Sequence, residues 1–266
     1  MKVTKTTLCI ASAIFATSAM ATDSHNFSDP TKTATSVYGD MATGRLEAKV
    51  DKIPDAKISG NTTVFNLGVT SEVYNRDGVR AAMMIGYSYL DRLSGKIGNQ
   101  PDTDINVKNG HRNAYSLGFA AAKDFDHNIL STVYANFNYH WLQADSPFLS
   151  EGYDLTLTGK LNTIEVGSGE LNFYPSYTYT HPKTKQPNGD NDTFNTYAVR
   201  IAYAMDMFSV YAEPKRVDGE FVYGLGAGYN FTSDFVIGAR YESFSKNYND
   251  LKLELNEFSL VLDYRF

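Results

Sequence analysis

The chain has 266 residues, a formal net charge of −6 and a mean hydropathy of −0.33. This acidity, without any basic cluster, argues against a nucleic-acid-binding protein, because such proteins need cations to neutralise phosphates. The single cysteine, Cys9, excludes a disulfide framework within the chain. No apolar run reaches the roughly 20 residues that a membrane-spanning helix requires. Aromatic residues are abundant, with 19 tyrosines and 16 phenylalanines, and they favour β-strands.

The N-terminus has the three parts of a secretory signal peptide. Two lysines form its basic region, residues 8–15 form a short apolar region, and Ala19-Met20-Ala21 matches a cleavage site. We predict cleavage after Ala21, so that residues 1–21 are the signal peptide and Cys9 is removed with it. The exported chain then has no thiol to act as a nucleophile or as a metal ligand.

From Asn61 onwards, apolar and polar residues alternate in eleven segments, which is the pattern of β-strands with one apolar face. Arg45–Val50 is a weaker candidate for one further strand. Short and longer polar connections alternate between the segments, as in barrels whose turns are short at one end and whose loops are long at the other. The short connections are expected at 75–78, 124–128, 167–169, 206–207 and 232–234, and the longer ones at 93–110, 145–152, 181–192, 213–219 and 245–250.

The end of the chain shows the alternation most clearly. One face of the last segment carries Phe258, Leu260, Leu262, Tyr264 and Phe266, and the other carries Ser259, Asp263 and Arg265. This aromatic C-terminus resembles the closing strand of Gram-negative outer-membrane β-barrels. With this C-terminus, its length, its strand count and the arginines expected to face inward, the chain resembles the small monomeric twelve-stranded porins that take up acidic oligosaccharides.

This resemblance implies an all-β fold, a transmembrane antiparallel up-and-down β-barrel of twelve strands. Such barrels have an even number of strands, so Arg45–Val50 would complete the set. Ten strands are the alternative, because Arg45–Val50 is weak and the turn at 206–207 is tight. Residues 22–44 would be a periplasmic N-terminal lead, and residues 45–266 the transmembrane barrel.

Two local features of the strands can also be predicted. The sequence Asn75–Gly78 suits a type I turn followed by a glycine bulge, which places Tyr74 opposite Arg80 in the lumen. Further along, the apolar residues of one segment change parity. We therefore predict a β-bulge near Asn162.

Outward-facing aromatic residues should form two bands at different heights. Membrane–water boundaries favour such amphipathic rings, with aliphatic residues between the two bands. At the outer rim we expect Tyr87, Tyr89, Tyr139, Trp141, Tyr177 and Tyr179, and at the periplasmic rim Phe231, Phe235, Tyr264 and Phe266.

Inward-facing residues should carry the function, because the bilayer constrains the outward ones. By strand parity the charged inward residues are Glu72, Arg80, Lys160, Arg200, Arg240, Glu242, Glu257, Asp263 and Arg265. Small inward residues, among them Gly118 and Gly226, predict space for a narrow water-filled channel. Cationic side chains in its wall would favour anions. The alternative is a lumen closed by salt bridges, with Arg265 paired to Asp263, Arg240 to Glu242 or another acid, and Arg80 to Glu72.

We therefore expect a bacterial outer-membrane channel for the passive diffusion of small hydrophilic solutes, anionic solutes included. The alternative is a non-conducting surface barrel whose outer loops, above all residues 93–110, bind host, phage or matrix. The expected partners are outer-membrane lipid and lipopolysaccharide, the barrel-insertion machinery through the C-terminal strand, and small solutes. The barrel should be a monomer, with no cofactor and no nucleic acid.

An outer-membrane hydrolase is the less favoured alternative. His127 lies in a short periplasmic turn, and His140 has no serine two residues further on. His111 and His181 lie at loop edges near several aspartates, as in a protease-like cluster. A histidine at a loop edge is more often solvated than catalytic, so we expect no catalytic residue and no metal site.

Overall fold

The computed structural model describes residues 29–50, 57–97, 104–106, 112–143, 151–183, 193–248 and 251–266. Within these ranges, no helix is long and apolar enough to cross a membrane. The strands are β1 (Ser36–Val50), β2 (Lys57–Arg76), β3 (Val79–Ile97), β4 (Asp104–Asn106), β5 (Arg112–Asp124), β6 (Leu130–Gln143), β7 (Glu151–Leu161), β8 (Ile164–Val166), β9 (Gly169–Lys183), β10 (Phe194–Ala204), β11 (Phe208–Val217), β12 (Glu220–Asn230), β13 (Phe235–Tyr248) and β14 (Leu251–Arg265).

Twelve of these strands form one closed barrel. Each pairs antiparallel with its neighbours in the chain, and β14 pairs with β1 to close the sheet. The two short strands are additions, because β4 pairs with the far part of β3, and β8 pairs with β9 just after β7 ends. The predicted all-β, up-and-down antiparallel barrel of twelve strands is therefore confirmed, and the alternative of ten strands is wrong.

The first strand begins at Ser36, whereas the sequence predicted a strand from Arg45 after a lead that ended at Gly44. Glycines and Asp40 lower the local strand propensity, so the alternation in this part of the sequence is hard to recognise. In the barrel, β1 is paired along its length with β14 and β2. Residues 22–28 of the predicted lead and the whole predicted signal peptide lie outside the described residues.

Outward and inward side chains differ in exposure along most of the long strands. On β14, Phe258, Leu260 and Leu262 are exposed, whereas Ser259 and Asp263 are buried. This confirms the alternation read from the C-terminal sequence. The other exposed apolar residues include Leu67, Val69, Ile85, Phe119, Leu155, Leu157, Leu225 and Ile237.

The end of the barrel at which β1 begins with Ser36 and β14 ends with Arg265 is called the termini end. The turn between β2 and β3 lies at the same end. The opposite end is called the far end. One predicted far-end loop, Glu213–Gly219, is wrong: β11 continues to Val217 and a two-residue turn, Asp218-Gly219, leads into β12. Both turn residues have positive φ values, 46° and 94°. The predicted loop at 245–250 is largely strand as well, because β13 continues to Tyr248 and β14 begins at Leu251.

The turn between β2 and β3 also differs from the prediction. Asp77 and Gly78 have φ values of 54° and 69°, as in the two-residue type I′ turn, whose twist matches that of antiparallel strands. Next to the turn the predicted pairing is therefore shifted by one residue, and Tyr74 lies opposite Ala81 rather than Arg80. A bulge between Glu72 and Tyr74 restores the predicted register from the pair Glu72–Ala82 onwards. Tyr74 is exposed on the outward face instead of lying in the lumen.

The β-bulge that we predicted near Asn162 is confirmed by the pairing with β9. Between the pairs Thr158–Ser176 and Ile164–Leu171, the chain advances six residues on one strand and five on the other. The extra residue changes which face the following side chains occupy.

Candidate functional site

The inward face of the barrel is polar and, over part of its wall, charged. The charged part, which we call the charged belt, consists of Asp40, Arg200, Glu213, Lys215, Arg240, Glu242 and Glu257. These residues come from β1, β10, β11, β13 and β14, which lie in one continuous half of the barrel. All seven are buried, so their charges need partners within the protein.

Glu213 is the best connected acid of the charged belt. Its carboxylate accepts hydrogen bonds from Arg200 Nε and from Lys215 Nζ, the latter at 2.8 Å. The same Lys215 Nζ lies 3.1 Å from Glu242 Oε2. One lysine thus joins two carboxylates that belong to β11 and β13, which are not neighbours in the sheet.

A glycine on the intervening strand makes this bridge possible. Gly224 of β12 lies directly opposite Glu213 on one side and Glu242 on the other. Because it has no side chain, Lys215 can reach Glu242 across it. The other half of the belt is looser: Arg240 Nη2 lies 3.8 Å from Asp40 Oδ2, and Asn66 Nδ2 donates to Asp40 Oδ1 at 2.5 Å.

Four of the inward glycines leave no space for a side chain of their own. A Cβ atom at Gly226 would overlap the ring of Tyr211, its partner on β11. Three further inward glycines are covered in the same way, Gly68 by Tyr38, Gly86 by Ser116 and Gly118 by Asn138. The expectation that small residues open the lumen is therefore wrong at these positions, since larger side chains opposite them occupy the space.

The remaining predicted inward residues lie near the termini end, and each cation there has an acidic partner. Arg80 Nη2 lies 2.7 Å from Asp124 Oδ1, and Arg265 Nε lies 3.1 Å from Asp263 Oδ2. Arg80 thus pairs with Asp124 and not with Glu72. With the contacts of the charged belt, the structure matches the salt-bridged alternative more closely than a wall of free arginines.

Residues 29–35, which we call the N-terminal segment, lie against the inside of the termini end. Asp29 Oδ2 accepts a hydrogen bond from Lys160 Nζ at 2.7 Å, and the hydroxyl of Tyr174 faces the same carboxylate. Burial alone would raise the pKa of Asp29, but Lys160 and hydrogen bonds from Lys160 and Thr31 outweigh it and hold this pKa below its ordinary value of 3.8. The pair therefore stabilises the segment at neutral and mildly acidic pH, and protonation disrupts it only below that value.

Sequence reasoning missed four residues that matter in this lumen: Asp29, Asp40, Glu213 and Lys215. The first two lay in the predicted lead, and the last two in a predicted loop that contains Pro214. A proline is rare inside central strands, so the prediction ended β11 too early. Continuing the alternation from Val210, which is outward, would have placed Glu213 and Lys215 inward.

For the hydrolase alternative, the described part of the chain provides a histidine–aspartate pair without a nucleophile beside it. His140 Nε2 lies 2.7 Å from Asp154 Oδ2. The residue opposite His140 on β5 is Ser116, whose hydroxyl points away towards Gly86 on β3. His111 and most aspartates of the protease-like cluster lie outside the described residues. Among the residues that are described, no group of three or more histidine and acidic side chains is arranged to hold a metal ion.

Outward aromatic rings contact one another in two groups. At the termini end a continuous series runs through Phe208, Tyr229, Phe231, Phe235, Tyr264 and Phe266, with ring centroids 4.9–6.5 Å apart. Towards the far end, ring contacts join Phe65, Tyr87, Tyr89, Tyr115, Phe137, Tyr139, Trp141, Tyr153, Tyr177, Tyr179 and Tyr197 to their neighbours. All ten aromatics named from the sequence take part in these contacts.

Several far-end tyrosines are also fixed by hydrogen bonds. The hydroxyls of Tyr87 and Tyr177 each donate to an asparagine on the adjacent strand at 2.7 Å, and Tyr139 donates to Glu151. These bonds hold the polar tips towards the rim while the rings lie on the apolar surface, which is the arrangement that amphipathic rings adopt at a water boundary.

Comparison with known proteins finds similarity in structure only. No protein-family model matches the chain, and no curated protein matches it. The COG4313 outer membrane channel from Pseudomonas putida F1 has a TM-score of 0.62 at 10% identity, over 92% of this chain and 99% of that one. The transport unit of the autotransporter AIDA-I from Escherichia coli has a TM-score of 0.56 at 15% identity, over 95% and 97%.

A third solved structure, LpxR from Salmonella typhimurium, has a TM-score of 0.51 at 11% identity, over 85% of this chain and 100% of that one. At these identities the likeness concerns the fold alone. The three proteins include a channel and an autotransporter transport unit, so the fold alone does not identify the function. The chain has the closed β-barrel fold that outer-membrane channels and other small outer-membrane barrels share.

Proposed function

We propose that this protein is a narrow channel of the bacterial outer membrane for the passive diffusion of small hydrophilic solutes. The observation that carries the proposal is the division of the barrel into an apolar outward face and a polar, charged inward face. A closed barrel satisfies all its strand hydrogen bonds internally, which is what a hydrocarbon environment requires. Polar side chains along the inside provide the partners that a hydrated solute needs in transit.

The two groups of outward aromatic rings support the membrane part of this proposal. Aromatic girdles at both interfaces flank the apolar band of outer-membrane barrels. In this setting the termini end faces the periplasm, and the outward surface contacts lipid and lipopolysaccharide. Export through the predicted signal peptide and insertion through the C-terminal strand belong to the same proposal.

The ion pairs of the lumen support weak selectivity. The predicted inward cations each have a carboxylate within 4 Å: Arg80, Lys160, Arg200, Arg240 and Arg265. A paired arginine presents little net charge to a passing ion. The proposed channel therefore has no preference for anions.

A liposome-swelling assay tests the proposed function. Proteoliposomes should admit glycine and arabinose but exclude raffinose, because side chains cover the inward glycines and narrow the lumen. Tyr211→Ala should increase the rate of swelling, since it removes the ring over Gly226. Tyr223→Ala is the matched control, because Tyr223 lies on the neighbouring strand but is exposed on the outward face.

The covered glycines also favour a second candidate, a barrel that conducts nothing and presents its far-end loops to other molecules. Liposomes that contain folded protein and swell no faster than empty ones, for the wild type and for Tyr211→Ala alike, would favour this second function. Equal swelling rates for Tyr211→Ala and Tyr223→Ala, both above the empty control, would place the narrowest part of the channel elsewhere.

A further inference from the structure

The N-terminal segment has one face that is buried against the barrel. Asp29, Thr31 and Thr33 are buried, at 7%, 1% and 2% exposure, whereas Lys32 between them is exposed. Asp29–Lys32 form a turn, in which the N–H of Lys32 donates to the carbonyl oxygen of Asp29, and the segment turns its carboxylate and hydroxyl side chains towards the barrel and Lys32 towards water. The segment precedes β1 and is not a member of the sheet.

Its buried side chains contact separate parts of the barrel wall. Asp29 bonds to Lys160, just before the end of β7, and Thr33 Oγ1 donates to Glu72 Oε2 on β2 at 2.8 Å. In the sheet, β2 and β7 are separated by β3, β5 and β6. A chain that reaches both within five residues must cross the opening of the barrel instead of following its wall.

The ends of the segment are fixed to different degrees. At its C-terminal side, the backbone N–H of Glu72 donates to Thr35 Oγ1, and the N–H of Phe266 donates to the carbonyl oxygen of Thr35. At its other side, Asp29 contacts the barrel through side chains: it accepts a hydrogen bond from the ammonium group of Lys160, which lies 5.8 Å from the centre of the Tyr174 ring. The Asp29–Lys160 ion pair is therefore the charged contact with the barrel wall at the part of the segment that lies furthest from β1.

We propose that the N-terminal segment is a plug for the termini end of the lumen, held in place by the Asp29–Lys160 ion pair. The inference rests on the proposed channel, and it adds the element that controls passage. The plug pivots at Thr35, where backbone hydrogen bonds anchor it, and its release removes buried side chains from the path of the solute. Release breaks the ion pair and the hydrogen bond between Thr33 and Glu72, but it unfolds no strand, so it is a local movement.

The test measures the position of the plug and the passage of solute separately. A Thr31→Cys reporter is placed in the full chain with Cys9→Ser, so that the protein has one thiol. The rate of modification by a membrane-impermeant maleimide reports how often the plug leaves the lumen, because Thr31 is buried when it is docked. Lys160→Met removes the ion pair and keeps the length of the side chain.

Lys160→Met should increase the rate of modification about tenfold, as expected when a partly buried charge loses its partner. It should also increase the rate of arabinose entry in the swelling assay. Lys123→Met is the matched control, because Lys123 is exposed at the same end and donates to the carbonyl oxygen of Asp77, outside the segment. This control should leave both rates unchanged.

The outcomes separate the plug from the channel. Equal modification rates in Lys160→Met and Lys123→Met would overturn the plug. If the wild type conducts and Lys160→Met is modified faster but does not swell faster, the segment does not control passage, and the proposed channel still stands. Faster modification in barrels that never conduct would support the docking of the segment but overturn the proposed function.

Discussion

Glu213→Gln should destabilise the barrel by about 3–5 kcal/mol, the usual effect of removing one member of a buried ion pair. Glu213 accepts hydrogen bonds from both Arg200 and Lys215, and all three side chains are at most one-tenth exposed. Without the carboxylate, Arg200 loses the acid that its Nε contacts. Lys215 loses one of its carboxylate partners and keeps Glu242. Equilibrium unfolding in guanidinium chloride, with the protein in lipid or detergent, measures the change.

Glu165→Gln is the control for this prediction. Glu165 is exposed and lies opposite another acid, Glu170, so its removal should change the free energy of unfolding by no more than about 0.5 kcal/mol. If Glu213→Gln were as stable as the wild type, water would have to solvate Arg200 and Lys215. The charged belt would then line a wide, hydrated pore and not a narrow channel closed in by ion pairs.

Replacing Arg200 and Arg240 together by alanine should shift the reversal potential in a salt gradient towards cation selectivity. The charged belt has three cations and four carboxylates, a formal charge of −1, and the double variant has one cation and four carboxylates, a formal charge of −3. A negative wall attracts cations and repels anions. We expect the cation-to-anion permeability ratio to rise roughly threefold or more.

The control is the pair Arg45→Ala and Arg76→Ala, which removes two exposed cations whose side chains are 64% and 78% accessible. It should leave the reversal potential within error of the wild type. Circular dichroism in the far ultraviolet checks that both double variants are folded. A folded Arg200 and Arg240 variant with an unchanged potential would show that ions do not pass along the charged belt.

The outward face of the barrel could be predicted because it follows a simple rule. Most outward positions in the middle of the strands are apolar, so alternation identifies the strands, and it continues through to Phe266. The type I′ turn at Asp77-Gly78 was harder, because the same sequence suits a three-residue turn. That ambiguity shifted the pairing by one residue and moved Tyr74 to the wrong face.

The contacts of the inward face could not be predicted in the same detail, because they join residues that are far apart in the sequence. Asp29 and Lys160 are separated by 131 residues. The side chains that cover inward glycines, such as Tyr211 over Gly226, come from neighbouring strands whose pairing the sequence does not specify at this precision. Local sequence identifies small and charged residues, but only the register shows which of them meet.

The charged residues of β11 illustrate the same difficulty. In the sequence, Glu213, Pro214 and Lys215 have the composition of a solvated loop. In the barrel they continue a strand, because Glu213 and Lys215 neutralise each other and their neighbours inside the lumen. Composition alone cannot distinguish charges that face water from charges that face one another.

Single-channel recording in a planar bilayer, with the reversal potential measured in a salt gradient, tests most directly whether the lumen is a narrow, ion-paired channel. We predict small discrete conductance steps and a reversal potential close to zero for the wild-type protein, because each inward arginine has an acidic partner. Large, anion-selective steps would contradict this, since they require a wide lumen with unpaired arginines. A folded barrel without any steps would contradict the channel itself.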